Sequence, residues 1–220
     1  NRRRILEQGL LTICTIAVLI YVFAPLAWLL ISSISTRAEL LSVPPHWLPQ
    51  QPTLQNYVDV LAPGEDTSRA ARDFGAALMN SIVVSTAVTV ISLVIGSLAA
   101  YAFARLSFRL RRTGLLALVG LRMLPAVSVV IPLYVILRDM SLLNTRSALI
   151  LLYLSFTLPF VIWIMASFFQ SLPRDLEDAA RVDGCSRLGA LWHVIIPISL
   201  PGLVATGVFA FLLAWDEFFF

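Results

Sequence analysis

The chain has 220 residues, of which 59% are apolar and 13% charged, and its formal net charge is +3. Soluble domains contain about 25% charged residues, so this chain has too much apolar surface for one soluble core, and a membrane protein is the class that fits. The small, scattered positive charge does not indicate nucleic-acid binding, and the absence of Lys excludes a P-loop lysine or a Schiff base in this chain.

Five apolar segments are long enough to cross a bilayer, which takes about 20 mainly apolar residues in a helix. The first runs from about Leu10 to Ile31 and follows a basic triplet. It has no small-residue cleavage site at its end, so it is predicted to be a retained anchor rather than a signal peptide. The other four predicted spans are 74–103, 114–137, 148–169 and 197–220.

The distribution of arginines predicts the orientation. With the N-terminus inside, the inner segments hold ten arginines and the outer segments five. Such a bias in short loops favours a cytoplasmic N-terminus. The predicted parts are therefore 1–31 (cytoplasmic N-terminus and first transmembrane helix), 32–73 (extracytoplasmic loop) and 74–220 (transmembrane core, with an inner loop at 171–196).

The outer loop is the only long polar stretch of the sequence. Pro44, Pro45, Pro49 and Pro52 predict an extended chain there, because proline fixes φ and restricts the residue before it. A short surface helix is predicted from Thr53 to Leu61. The two cysteines, Cys14 and Cys185, are predicted to be one intramembrane and one cytoplasmic thiol, and the two distant histidines do not suggest a metal site.

The inner loop 171–196 contains the signals of a short helix outside the membrane. Ser171 is a plausible N-cap, Pro173 suits the first turn, and Gly184 supplies a left-handed stop. Ser186 can begin a second helix. Helical spacing places four residues on one face whose small side chains would allow another protein to approach: Leu176, Ala179, Ala180 and Asp183.

The spacing of this loop resembles the EAA loop of the permease subunits of ABC importers. The pattern is Asp178-Ala179-Ala180, three residues, Gly184, nine residues, and then Val194-Ile195-Ile196-Pro197. Asp178 replaces the family's Glu, with Glu177 directly before it. The residues that the resemblance implies for ATPase docking are Leu176, Glu177, Asp178, Ala179, Ala180, Asp183, Gly184 and Pro197.

Other stretches resemble the maltose-type carbohydrate branch of these permeases. They include the outer segment ending at Tyr57, the run from Ala99 to Arg105, Met123-Leu124-Pro125, and the stretch from Ala214 to Phe218, in which Asp216 stands in an Asn position. The resemblance implies an all-α, polytopic type I ABC-importer permease fold. Such permeases have six spans, so a sixth span is expected after the fifth.

The resemblance also implies partners. A second permease subunit, two copies of an ATPase subunit that bind ATP and Mg, and an extracytoplasmic solute-binding protein would complete the importer in a bacterial-type plasma membrane. This chain would have no cofactor, metal or catalytic residue of its own. The implied solute is a sugar or a related polyhydroxylated compound; glycerol phosphate, a polyamine or an amino acid are alternatives, and a stand-alone channel or a membrane enzyme are further ones.

Ionisable residues inside predicted spans are candidates for the translocation path, because a charge in a span usually faces a cavity or a partner. The candidates are Arg122 with the nearby Pro125, and Asp216 with Glu217. Arg122 either lines the solute route or pairs across a subunit interface, unless the span boundary leaves it near the headgroups. An ion pair between Arg122 and Asp216 is conceivable. Tyr153, Trp163 and Phe169 are interpreted as lipid-facing or packing residues.

Overall fold

The computed structural model describes residues 2–44, 46–64 and 67–217, and that part of the chain is helical with no β-strand. In chain order its helical segments are α1 (Arg2–Ser33), α2 (Arg37–Leu40), α3 (Gln55–Leu61), α4 (Arg69–Arg105), α5 (Arg111–Leu121), α6 (Ala126–Asp139), α7 (Arg146–Ser171), α8 (Asp175–Val182), α9 (Arg187–Ala190), a π-helical turn (Leu191–Ile195), α10 (Ile196–Ile198) and α11 (Leu200–Trp215). The all-α prediction is confirmed. The chain divides into two compact units, Asn1–Ala77 and Leu78–Phe220.

Three helices in the described part of the chain are long and apolar enough to cross a membrane: Glu7–Ser33 within α1, Arg69–Arg105 and Arg146–Ser171. They contain the first, second and fourth predicted spans. A bent pair, Arg187–Ile198 with Leu200–Trp215, gives a fourth crossing if it is counted as one span. The structure thus differs from five straight spanning helices at the third and the fifth predicted spans.

The third predicted span, 114–137, is divided into α5 and α6. Pro125 has no N–H to continue a helix, and its ψ of 132° is extended backbone. Just before it, the N–H groups of Arg122, Met123 and Leu124 bond to carbonyls only three residues back, as in the tighter 3-10 helix. The helix is therefore interrupted where the sequence places Arg122 and Pro125 close together.

The fifth predicted span, 197–220, is bent near its start. The helical axis turns by 80° between Arg187–Ile198 and Leu200–Trp215. Pro201 lies in the first turn of α11, where its missing N–H leaves no bond back across the bend. The straight helix begins at Leu200 rather than near Pro197, and residues 218–220 lie outside the described part.

In the unit Asn1–Ala77, the polar segment after α1 folds back onto the end of that helix. The Thr53 N–H donates to the Ile34 carbonyl at 2.7 Å. The Asn56 amide donates to the carbonyls of Ser33 and Ser35, both at 3.0 Å. The predicted short helix is present as α3, and its side chains hold the outer segment in place.

The short helix α2 was not predicted, and one carboxylate organises it. Thr36 and Glu39 form a capping box, in which each side chain accepts the backbone N–H of the other residue. Glu39 also accepts the N–H groups of Gln50 and Gln51, both at 2.9 Å. Desolvation acts to raise the pKa of Glu39, but the donors Gln51, Thr36 and Gln50 outweigh it and lower the pKa.

In the unit Leu78–Phe220, the core lies between α4, α7, the π-helical turn and α11. Small residues on α4 permit close packing: a Cβ atom at Gly96 would lie only 2.6 Å from a methyl carbon of the fully buried Val161. Gly96 and the buried Ala100 thus allow α4 to pack closely in the core. This packing fixes the C-terminal part of α4, which supports the segment 171–196, the predicted inner loop.

Candidate functional site

The loop helix α8 ends as the sequence predicts. Gly184 adopts a φ of +93°, a left-handed conformation that residues with a side chain rarely accept. The N–H groups of Gly184 and Cys185 turn back to the carbonyls of Arg181 and Ala180, at 3.1 and 3.0 Å. These bonds satisfy carbonyls at the helix end, as in glycine-terminated helices generally.

The beginning of α8 differs from the prediction. Ser171 does not cap it, because α7 extends as far as Ser171 and the Ser171 hydroxyl donates to the Phe168 carbonyl at 2.7 Å. The helix begins after Arg174, which makes no side-chain cap. Three carboxylates nevertheless occupy the first turn, where they favourably face the positive end of the helix dipole; they are Asp175, Glu177 and Asp178.

The orientation of α8 also differs from the predicted face. Ala180 is buried and Leu176 half-buried, so these two residues pack against the chain itself. The open face instead contains Asp175, Asp178, Ala179 and Val182, and Val182 is 87% exposed. Helical spacing of three and four residues unites them in one stripe. We call these four residues the open face of α8.

Glu177 points inward, to two residues near the end of α4. Its Oε1 atom accepts a hydrogen bond of 2.6 Å from the Tyr101 hydroxyl. Its Oε2 atom lies 3.6 Å from Nε of Arg105, and the Arg105 and Glu177 side chains are only 3% and 11% exposed. We call Tyr101, Arg105 and Glu177 the α4–α8 cluster. Sequence reasoning assigned Glu177 to docking and missed both α4 partners, which lie more than 70 residues away.

The segment after α8 connects it to the core. The Ser186 hydroxyl caps α9 by accepting the Gly189 N–H at 3.1 Å, as predicted. The following π-helical turn buries Leu191 and Ile195 among core residues of α4 and α7. Pro197 lies two residues after the end of this turn, in α10, and is itself exposed. The loop is therefore anchored on both sides of Gly184.

The predicted path residues are only partly brought together. Arg122 and Glu217 line a pocket of about 240 Å³ with Tyr153, Phe156 and Thr157 among its walls. The Arg122 guanidinium carbon also lies 4.7 Å from the centre of the Phe160 ring, within the range of a cation–π contact. The Arg122 side chain thus reaches α7 from the helix break.

Two other candidates lie apart from this pocket wall. Asp216 is exposed at the end of α11, and Pro125 begins α6. An Arg122–Asp216 ion pair is not among the ion pairs of the described residues. Of the aromatic residues on α7, Phe169 is fully buried in the core, which confirms its interpretation as a packing residue.

Comparison with known proteins agrees with this architecture. A family profile described as "binding-protein-dependent transport system inner membrane component" matches residues 68–220. The chain is 40% identical over 194 residues to the sulfoquinovosyl glycerol transport system permease protein SmoH of Agrobacterium fabrum, which covers 88% of this chain and 65% of SmoH. It therefore spans less than two thirds of the length of that relative.

Two further relatives support the same grouping. The trehalose/maltose transport system permease protein MalG of Thermococcus litoralis is 36% identical, over 100% of this chain and 76% of its own. The diacetylchitobiose uptake system permease protein DasC of Streptomyces coelicolor is 34% identical, over 88% of this chain and 67% of its own.

A solved structure shares the fold. It is a bacterial ABC transporter involved in the import of the acidic polysaccharide alginate, with a TM-score of 0.80, 23% identity, and coverage of 99% of this chain and 73% of the other. The resemblance that the loop pattern indicated is confirmed. The chain belongs to the family of binding-protein-dependent transport system inner membrane components, and it is a helical membrane protein with several crossings.

Proposed function

We propose that this chain is a permease subunit of an ATP-driven ABC importer, and that it forms part of the path for a sugar or a related polyhydroxylated solute. Family membership supports the transport role. The names of three relatives, which refer to sulfoquinovosyl glycerol, trehalose or maltose, and diacetylchitobiose, support a sugar. The chain itself is non-catalytic in this proposal, and ATP and Mg belong to the ATPase partners.

The observation that carries the proposal is the open face of α8. One side of this eight-residue helix is held by the chain, and the other presents Val182 and Ala179 beside the carboxylates of Asp175 and Asp178. A small apolar centre with a charged rim is the usual composition of a protein interface. We infer that an ATPase subunit binds here, and that each importer contains two ATPase subunits, a second permease and a solute-binding protein.

The pocket beside the helix break is the proposed contribution of this subunit to the solute path. Arg122 and Glu217 bring opposite charges to its wall, and Thr157 and Tyr153 bring hydroxyl groups. Polar groups and aromatic rings together suit the hydroxyl groups and the apolar faces of a sugar. The interrupted backbone at Arg122–Pro125 is of the kind that is tolerated at membrane depth where it lines a cavity or is buried in protein.

Charge introduced on the open face of α8 tests the docking site. Asp178→Arg and Val182→Arg should each insert normally, but the amount of co-purified ATPase and the ATP-dependent uptake should fall about ten-fold or more, because an unmatched charge in an interface core costs several kcal/mol. Asp139→Arg is the matched control, since it reverses an exposed carboxylate at the end of α6, which is not part of the loop 171–196. Unchanged co-purification in both α8 variants would contradict the docking site.

The orientation is tested separately. Membrane-impermeant thiol reagents added from either side to a chain with a single cysteine at position 182 or 139 should label the two positions from opposite sides. Position 182 should be the one labelled from the cytoplasmic side, and labelling of position 182 from outside would contradict a cytoplasmic α8. Uptake of labelled trehalose, maltose and diacetylchitobiose by cells with and without the subunit tests the solute class.

A further inference from the structure

The α4–α8 cluster is a costly way to hold two helices together. Burying a carboxylate and a guanidinium takes both ions out of water at a large cost in free energy, and an apolar pair of similar volume often holds an interior together equally well or better. The same side of α8 already packs Ala180 against the chain. Stability alone therefore does not explain why charges occupy this contact.

The cluster fixes the loop at three points. Arg105 donates from Nη2 to the Leu172 carbonyl at 3.0 Å, just before α8. Glu177 is held within α8 itself. The Tyr101 hydroxyl lies 3.3 Å from the Arg187 carbonyl, in the first turn of α9. Two side chains of α4 thus contact the start, the middle and the exit of the inner loop.

The tyrosine has two acceptors for its single hydroxyl proton. The 2.6 Å distance assigns the proton to Glu177, while the Arg187 carbonyl at 3.3 Å is a second acceptor within reach. A buried hydroxyl that loses its partner is destabilising. Tyr101 would keep a partner if Glu177 withdrew, so the contact has two satisfied arrangements rather than one.

Tyr101 and Arg105 also connect α8 to one particular face of α4. They are four residues apart and therefore share one face of α4, a 37-residue helix that is long enough to cross the membrane. Gly96, further along the same helix, packs against Val161 of α7. A displacement of α8 that moved this face of α4 would therefore act on the packed core.

We propose that Glu177 is a positioning residue: through Tyr101 and Arg105 it makes α8 and the C-terminal end of α4 move together, so that force applied to the open face of α8 reaches the membrane core. This proposal rests on the proposed function, because it requires a partner that acts on α8. It gives the two faces of α8 separate tasks, one for binding the partner and one for transmitting the movement.

The test measures coupling rather than assembly. The complete importer, with Glu177→Gln or the wild-type residue, is reconstituted in vesicles with trehalose, maltose and diacetylchitobiose as probes. Gln keeps the volume and an acceptor for Tyr101 but removes the charge that faces Arg105. We expect the ATPase to co-purify normally, while the ATP hydrolysed per sugar imported rises about five-fold or more, the lower end of typical coupling between sites.

Two further variants sharpen the test. Asp139→Asn neutralises the exposed Arg138–Asp139 pair and should leave the ratio unchanged. Tyr101→Phe removes the hydrogen bond but keeps the ion pair, so it should raise the ratio less than Glu177→Gln does. In the double variant, the increase in ATP hydrolysed per sugar should be smaller than the sum of the increases in the two single variants. The reason is that substitutions within one network do not have additive effects.

A second readout requires no solute. In a Cys14→Ser background, the half-buried thiol of Cys185 reports on the loop, and Glu177→Gln should raise its labelling rate in the assembled complex while Asp139→Asn should not. If Glu177→Gln lowered the amount of assembled complex but left both the ATP-to-sugar ratio and the labelling rate unchanged, Glu177 would have only a structural role. That outcome would overturn the proposal. If wild type imports no probe and Val182→Arg retains the ATPase, the proposed function fails instead; the labelling result then still decides whether Glu177 holds the loop.

Discussion

Two polar segments outside the long helices are each organised by a carboxylate, but the two carboxylates act over different distances. Glu39, in the predicted outer segment, accepts backbone N–H groups from Thr36, Gln50 and Gln51, all within 12 residues. Glu177, in the predicted inner loop, has side-chain partners on α4 more than 70 residues away. The first arrangement fixes the shape of one loop; the second connects a loop to the membrane core.

The largest expected effect is at the inner carboxylate. Glu177→Ala leaves the Arg105 charge buried without its partner and should lower the free energy of unfolding by about 3–5 kcal/mol. Denaturation in detergent measures this loss. Glu177→Leu combined with Arg105→Leu should recover much of the stability without restoring coupled transport. If Glu177→Ala lowered the free energy of unfolding by less than about 1 kcal/mol, Glu177 would have only a local effect, as expected for Glu39.

The glycine that ends α8 should have the next largest effect. Gly184→Ala forces a side chain into a positive-φ position and should cost about 1–2 kcal/mol, from the backbone alone, because a Cβ there meets no atom within 4 Å. Gly120→Ala is the matched control: it also has open space, but it lies within α5 and should be neutral or stabilising. Equal unfolding midpoints for the two variants would argue against a conformational role for Gly184.

Substitutions in the outer segment should affect the stability of that segment alone. Thr36→Ala removes one half of the capping box and should cost about 1 kcal/mol, whereas Thr36→Ser should retain the cap. Limited proteolysis between residues 37 and 52 should become faster in Thr36→Ala, with no change in ATPase co-purification. Loss of co-purification would mean that the outer segment also acts at a distance.

The smallest effect should be the pH dependence of the outer segment. The pKa of Glu39 is lowered in the fold from its ordinary value of 4.5, so its contribution to stability is present above that value and is lost as the pH falls through the lower folded pKa. The hydrogen-exchange protection of residues 36–44 and 46–53, measured relative to the intrinsic exchange rate at each pH, should therefore be constant from neutral pH to about 5 and decrease below about 4.5. Glu39→Gln should remove this transition, and an unchanged transition would assign it to another group.

Local signals in the sequence predicted the elements that short-range chemistry controls. Gly184 and Ser186 end and begin helices as expected, and the loop pattern identified the family. The Thr-x-x-Glu pattern at Thr36 and Glu39 was equally visible and could have predicted α2. Helix caps can be predicted from the sequence because their hydrogen-bond partners lie within a few residues.

Contacts between residues that are distant in the sequence could not be predicted in the same way. The rotation of α8, which turns Glu177 and Ala180 inward, depends on Tyr101 and Arg105, and no spacing rule relates these residues to the loop. The division of the third span is by contrast a local effect of Pro125, since proline interrupts helices. Asp216 was grouped with Arg122 by charge alone, and packing placed it elsewhere.

The 80° bend before α11 has a geometric consequence for the lipid around this protein. If α11 stands along the bilayer normal, the segment Arg187–Ile198 must lie nearly in the bilayer plane. One side of that segment buries Leu191 and Ile195, and the other exposes Leu188 and Trp192. Tryptophan concentrates at the depth of lipid headgroups. We therefore expect the segment Arg187–Ile198 to lie at the membrane–water interface, between the loop that contains α8 and the hydrocarbon core.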